Sequence, residues 1–209
     1  MSNILVLTTS ALADASASNG LVRDVVSALQ QADPLIHIVT RDLGSRPIPH
    51  LTPDSAAALR GAAPANAAQA AAQALSDQLI GELQAADLIV IGAPMYNFGI
   101  ASTLKAWFDH VLRAGTTFHY TERGPVGLLQ GKRAIVIETR GGFYSEGPAQ
   151  SMDAQEPHLR TLLGFIGISD ITFVRAEKLA LGVQAREQSI GAARSELAQV
   201  VESRCRRAA

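Results

Sequence analysis

The sequence predicts an α/β fold, a doubly wound parallel sheet with helices on both faces. Three observations carry that prediction. Short β-branched apolar runs without polar alternation recur along the chain, the pattern of parallel strands buried on both sides. Helical stretches separate these runs to the end of the chain, as strand–helix–strand units require. Serine- or glycine-bearing turns follow the first, third and fourth runs. In an open parallel sheet, ligands bind in the crevice outside the carboxyl ends of the strands.

The first run, 4–7, passes through a loop into a helical pattern over 21–29. The later runs are 36–39, 88–91, 134–137 and 171–174. Five strands suit the flavodoxin-like order 2-1-3-4-5, whose switch point lies between the first and third. Pro47, Pro49, Pro53 and Pro64 make 42–64 a surface loop or broken turn. The alanine-rich segment 66–86 favours helix and repeats Leu75, Leu79 and Leu83 on one face, as a packing helix without chemistry would. From Ile100, the stripe Leu104, Trp107, Phe108, Val111 and Leu112 reads as core, with Trp107 also available to a subunit interface. An amphipathic helix over 184–204 covers the sheet. Neither repeat nor linker interrupts residues 1–209, so a single domain is expected.

Composition excludes several function classes. The 209 residues are 47% apolar, enough for a core on both faces of a sheet. Net charge is −1 and the 18 basic residues are scattered, which argues against a nucleic-acid footprint. The stretch Arg204-Cys205-Arg206-Arg207 reads as a frayed terminus rather than a binding patch. Cys205 is the only cysteine, so an intrachain disulfide is impossible, and a catalytic thiol is not expected so near the end. The opening residues lack a basic segment, and no apolar stretch approaches membrane-spanning length. A cytoplasmic protein without membrane partners is expected. His37, His50, His110 and His158 show no ligand spacing, so metal binding is not expected.

The three turns are the candidate site. In the first, the hydroxyls of Ser10, Ser16 and Ser18 suit a phosphate, and a helix starting near Ser18 adds free N–H groups. Ser16 or Ser18 serves equally well as a plain helix cap. Neither GxGxxG nor GxxxxGK[ST] occurs here. In the second, Pro94 ends the strand, and Met95, Tyr96, Asn97 and Phe98 mix flat apolar surface with backbone donors, as an isoalloxazine ring requires. Alternatively Asn97 caps the next helix and Phe98 is core. In the third, Thr139 and Arg140 lead into Gly141 and Gly142, which admit close backbone approach. Each turn alone reads as ordinary; their coincidence at one sheet edge favours a shared site.

The order of these residues resembles the FMN-dependent NADH-azoreductases, the flavodoxin-like quinone reductases of bacteria. The resemblance rests on Ser10 with Ser16-Ala17-Ser18-Asn19, on Ala93-Pro94-Met95-Tyr96-Asn97-Phe98 and on Arg140-Gly141-Gly142. It extends to Arg41-Asp42-Leu43 with Pro47-Ile48-Pro49, Phe118-His119-Tyr120-Thr121-Glu122 with Gly124-Pro125, and Leu163-Gly164-Phe165-Ile166-Gly167. It implies non-covalent FMN, its phosphate held by Ser10, Ser16, Ala17 and Ser18, and its ring embraced by Met95, Tyr96, Asn97, Phe98, Thr139, Arg140, Gly141 and Gly142. Ala17 offers only its backbone, and Thr139 stands where a serine is familiar. The resemblance further implies NADH or NADPH as donor, quinones and aromatic azo compounds as acceptors, two-electron ping-pong transfer, and a homodimer whose interface holds the flavin and receives the helix bearing Trp107.

His119 and Tyr120 are candidates for shaping the substrate pocket or donating a proton. They also fit a hairpin in which Phe118 and Tyr120 pair at period two and His119 faces solvent. Phe143-Tyr144-Ser145-Glu146 is a stretch expected to adjust substrate choice. Two other readings stand beside this one. A flavodoxin-type electron carrier is usually strongly acidic, whereas 19 acidic residues here meet 18 basic ones. A phosphate-ester hydrolase suits the Ser10 turn but lacks a metal cluster or paired base beside it.

Overall fold

The computed structural model describes residues 3–61 and 63–208, without the side chains of residues 14 and 204–208. The side chains of Cys205 and the basic tail therefore lie outside the described residues. In chain order the elements are β1 (Asn3–Thr8), α1 (Ala17–Ala32), β2 (His37–Asp42), α2 (Pro53–Ala58), α3 (Ala67–Ala85), β3 (Leu88–Pro94) and α4 (Ser102–Val111). There follow β4 (Phe118–Thr121), β5 (Gly124–Gly127), β6 (Arg133–Thr139), α5 (Glu156–Phe165), β7 (Asp170–Ala176) and α6 (Val183–Ala208).

Five parallel strands form the central sheet in the order β2-β1-β3-β6-β7, the expected 2-1-3-4-5 when only sheet strands are counted. Alternate residues on each strand face opposite sides, so each apolar run feeds two cores. Leu5, Leu7, Ile89, Ile91 and Val136 pack with Leu79, Leu83, Trp107, Phe108 and Leu159 from α3, α4 and α5. Ile4, Val6, Val90, Ile135 and Ile137 pack on the other side with Leu21, Val25, Leu29 and Leu197 from α1 and α6. This two-sided burial pins the strands and fixes which loops meet at the carboxyl edge.

Several local expectations change. The stretch 42–64 contains α2, with Pro53 in its first turn and a capping box between Thr52 and Ser55. Prolines marked this segment as broken, although a proline is favourable at a helix start. The helix after the second turn begins at Ser102 rather than near Gly99. β4 and β5 form a separate antiparallel hairpin. The basic tail continues α6 as helix to Ala208. Trp107 is fully buried within the chain, edge-on to Phe108 at 5.0 Å between ring centroids. Its ring belongs to this core and does not reach a subunit interface. Among the described residues, no helix is long and apolar enough to cross a membrane.

Candidate functional site

The central strands place the three turns side by side. β1, β3 and β6 are adjacent, and their last paired residues include Thr8 with Gly92 and Pro94 with Thr139. Side-chain and backbone hydrogen bonds then lock the turns together. The Tyr96 hydroxyl accepts from the Ala11 N–H at 2.9 Å, joining the second turn to the first. The Met95 N–H donates to the Thr139 carbonyl at 2.8 Å, joining the second to the third.

In the first turn Ser16 is the N-cap of α1, its Oγ accepting from the Asn19 N–H at 3.2 Å and lying 3.0 Å from the Ser18 Oγ. Both serines are buried. Capping satisfies one orphan donor of the helix, and the N–H groups of Ala17 and Ser18 have no intrahelical acceptor. The cap and the phosphate-donor roles assigned to Ser16 are compatible, since a hydroxyl accepts and donates at once. Ser10 Oγ accepts from the Leu12 N–H at 3.2 Å and lies 3.4 Å from the Tyr96 hydroxyl.

A glycine not expected to matter supports this turn. A Cβ on Gly44 would stand 2.1 Å from the Ser10 carbonyl oxygen, and backbone cannot yield as a flexible side chain does. The loop is seated by Leu43, whose N–H donates to Thr8 O at 2.7 Å, and by Asp42, whose Oδ1 accepts from the N–H groups of Gly44 and Ser45. Burial raises the Asp42 carboxyl, but bonds from Ser45, Gly44 and Thr8 outweigh it and hold the group below its usual range. Gly44→Ala is expected to displace the Ser10 backbone and lower stability by about 1–3 kcal/mol, the usual range for overpacking. Urea unfolding measures the loss; a crystal structure of the variant with Ser10 unmoved would refute the explanation.

The second turn is tight. Tyr96 and Gly99 exchange N–H to carbonyl bonds at 3.0 Å each, and the central residues Asn97 and Phe98 both have positive φ, 46° and 71°. Mirror-image hairpin turns require this sign at both positions. A phenylalanine in that region is strained, and such strain persists only where the surroundings enforce it. The enforcing contact is the Ala154 N–H, which donates to the Phe98 carbonyl at 3.0 Å. Asn97 is thus the centre of a turn and not a helix cap, and Phe98 is 42% exposed and not core.

The third turn presents donors. The Arg140, Gly141 and Gly142 carbonyls accept from the N–H groups of Leu179, Ala180 and Lys178 at 2.7–3.1 Å. With its carbonyls tied down towards residues 178–180, the turn keeps the Gly141 and Gly142 N–H groups free of backbone partners among the described residues. Arg140 itself is withdrawn from the crevice. Its side chain is fully buried: Nε donates to Gln155, Nη1 to Glu177 at 3.2 Å, and Nη2 to Glu138 at 2.6 Å, with Asp153 at 3.0 Å from Nη2. Gln155 in turn donates to the Ala93 carbonyl at 2.8 Å. The Arg140 side chain therefore ties together the ends of β3, β6 and β7 and the start of α5, a positioning role.

Arg175 bonds Glu156 at 2.6 Å and stands 3.8 Å from Glu138, so two guanidinium groups meet four carboxylates and leave them incompletely compensated. Burial pushes the Glu138 carboxyl up to about 8; Arg140 opposes this, while Glu156 and Asp153 reinforce it. Glu138 Oε1 has no hydrogen-bond partner among the described residues. The unfolded chain releases this proton near 4.5 and the folded chain near 8. The stabilising contribution is therefore complete below the lower value and is lost as pH rises towards the upper one. Glu138→Gln is expected to flatten the dependence of Tm on pH across that window. An unchanged slope would show that Glu138 does not carry the proton.

His119 and Tyr120 are not brought to this crevice by their own chain. Their hairpin is anchored at the amino edge of the sheet, where the Leu129 N–H donates to Ile166 O just before β7, and Thr117 Oγ1 donates to Val111 O at the end of α4. Tyr120 lies two residues past Phe118, a reach of about 7 Å, whereas a seven-residue strand spans about 20 Å. Tyr120 is 71% exposed, and His119 is exposed beside it. The hairpin reading, with Phe118 and Tyr120 edge-to-face at 5.5 Å, is the one observed.

Sequence reasoning missed Gly44, Glu138, Asp153, Gln155 and Glu177. A glutamate inside an apolar strand, two residues before an arginine on the same face, was the available signal for the buried cluster. Among the described residues, no group of His, Cys, Asp or Glu side chains forms a metal site.

Strand order and edge turns define a flavodoxin-like protein, and residues 2–201 match the model of a family described by its flavodoxin-like fold. A protein from Hyphomonas neptunium named FMN-dependent NADH:quinone oxidoreductase is 50% identical over 97% of each chain. One of the same name from Ralstonia nicotianae is 50% identical over 95% of this chain and 96% of its own. A crystal structure of azoreductase from Bacillus anthracis superposes with a TM-score of 0.88 at 28% identity, covering 97% of this chain and all of that one. The chain belongs to the flavodoxin-like FMN-dependent NADH:quinone oxidoreductase family.

Proposed function

We propose that the chain is an FMN-dependent oxidoreductase that uses NADH, or NADPH, to reduce quinones and aromatic azo compounds by two-electron ping-pong transfer. The observation that carries this reading is the mutual locking of three turns, through Tyr96 and through Met95 with Thr139, into one donor-rich crevice at the carboxyl edge. The half-identity to quinone oxidoreductases along nearly the whole chain supports it.

The residues present fit the cofactor. Ser10, Ser16 and Ser18 hydroxyls, with the N–H groups of Ala17 and Ser18, would hold the phosphate as neutral donors at a helix N-terminus. Met95, Tyr96, Asn97 and Phe98 would pack against one side of the ring, and Thr139, Gly141 and Gly142 would present backbone to its polar edge. Arg140 holds that backbone in place. Bound FMN supplies the hydride chemistry, and the protein supplies binding, orientation and electrostatics. A crevice closed behind by these turns offers nicotinamide and acceptor the same flat face, so each must leave before the other enters.

We read the chain as one FMN-binding domain acting in the cytoplasm as a homodimer. The exposed hairpin supports the dimer, since His119 and Tyr120 can serve a substrate pocket only in a second copy. The 2′-phosphate of NADPH calls for a nearby arginine: Arg186 lies at the carboxyl-edge start of α6, whereas Arg123 lies between β4 and β5.

The purified protein is expected to release FMN on acid treatment, to bleach anaerobically with NADH alone, and to recover its colour on adding quinone. Initial-rate plots against NADH at several quinone concentrations should be parallel. Release of FAD, or no flavin after reconstitution, refutes the cofactor; intersecting lines refute the shared crevice.

A further inference from the structure

Tyr144 occupies a place that the reading above leaves unused. Its ring lies against Gly142: a Cβ there would stand 2.9 Å from Tyr144 Cε2 and 3.0 Å from its hydroxyl oxygen. Across the crevice it meets Phe98 edge-to-face, with ring centroids 6.1 Å apart and planes at 81°. Tyr144 therefore bridges the third turn and the second. Its remaining surface lines a separate cavity of about 380 Å³, bounded also by Ser145, Gln150, Asp153, Arg160 and Arg175.

The backbone beneath this ring is fixed. The N–H groups of Tyr144 and Ser145 donate to Glu177 Oε1 at 2.8 and 3.1 Å, and Ser145 Oγ donates to Glu177 Oε2 at 2.5 Å. Glu177 is held in turn by Arg140 at 3.2 Å. The side chain is half-buried, and its hydroxyl has no hydrogen-bond partner among the described residues. A ring free at its tip on an anchored backbone makes a partition and not a structural strut.

We propose that Tyr144 is a specificity-determining residue: its ring walls the crevice off from the side cavity and sets the width of the planar acceptor that fits beside Phe98. This rests on the oxidoreductase reading and names the part of the site that selects among its acceptors. One-ring quinones fit within the wall. Three-ring quinones need the space behind it, and the gate acts through ring bulk and not through the hydroxyl.

The test uses FMN-loaded wild-type protein with Tyr144→Ala and Tyr144→Phe. Binding of anthraquinone-2-sulfonate and of 1,4-benzoquinone to the oxidised proteins, without NADH, is followed by the change in flavin absorbance. The ratio of kcat/KM for the same two quinones is measured in parallel. Each protein is saturated with FMN before measurement, and Tyr144→Ala is expected to shift both ratios at least tenfold towards the three-ring quinone, with Tyr144→Phe near wild type. An unshifted ratio in Tyr144→Ala overturns the proposal, as does a Tyr144→Phe protein that behaves like it. Wild-type protein that neither retains FMN nor oxidises NADH would instead overturn the functional reading, so the two failures are distinguishable.

Discussion

Arg140→Met is expected to lose roughly 3–5 kcal/mol of folding stability at pH 8, the range for removing one partner of a buried ion pair. Methionine fills much of the space but offers no donor. Glu138, Asp153 and Glu177, all bonded to or beside the guanidinium, would then lose their shared cation and keep only the half-buried Arg175, 3.8 Å from Glu138. The loss should shrink at pH 5, because carboxylates that have lost their cation take up protons more readily. The same substitution frees Gln155 and Glu177, and with them the anchors of residues 144–145. Urea unfolding at both pH values measures the difference. A loss under about 1 kcal/mol at pH 8 would show that the cluster tolerates vacancy, contrary to the usual cost of unpaired buried charge.

Trp107→Ala should cost about 3–5 kcal/mol, the range for emptying a large aromatic site in a core. The ring is fully buried between the sheet and α3, and Phe108 packs against it. Its Nε1 has no hydrogen-bond partner among the described residues, so burial strips a donor of water without replacement. Trp107→Phe gives up contact area but removes that unpaired donor, and it should retain most of the stability. Both variants are compared by urea midpoint at constant m. An alanine variant as stable as the phenylalanine one would mean that the site collapses freely and leaves no cavity.

The sheet was legible because two-sided burial writes itself as uninterrupted apolar runs: 88–91 and 134–137 lie within β3 and β6. β2, at the edge, runs from His37 to Asp42 whereas its apolar run spans 36–39, since a strand covered on fewer sides needs polar residues. The turns were legible as a set, because topology alone brings the ends of β1, β3 and β6 together. Their inner wiring was not. That Arg140 turns inward depends on Asp153 and Glu177, which lie 13 and 37 positions away and meet it only after α5 and β7 have packed. The placement of His119 and Tyr120 was equally invisible: the local pattern announced the hairpin, but nothing local said at which end of the sheet it stands.

Between residues 8 and 19 the first turn contains no Lys or Arg, and its donors are hydroxyls and backbone N–H groups gathered at the start of α1. Mobile ions screen full charges over about 10 Å at 0.1 M ionic strength, but they do little to dipoles touching their acceptor at hydrogen-bond distance. A phosphate seated on this turn would thus be held by contact and not by long-range attraction. Such a holder gives up fast electrostatic capture and gains indifference to the ionic strength around it.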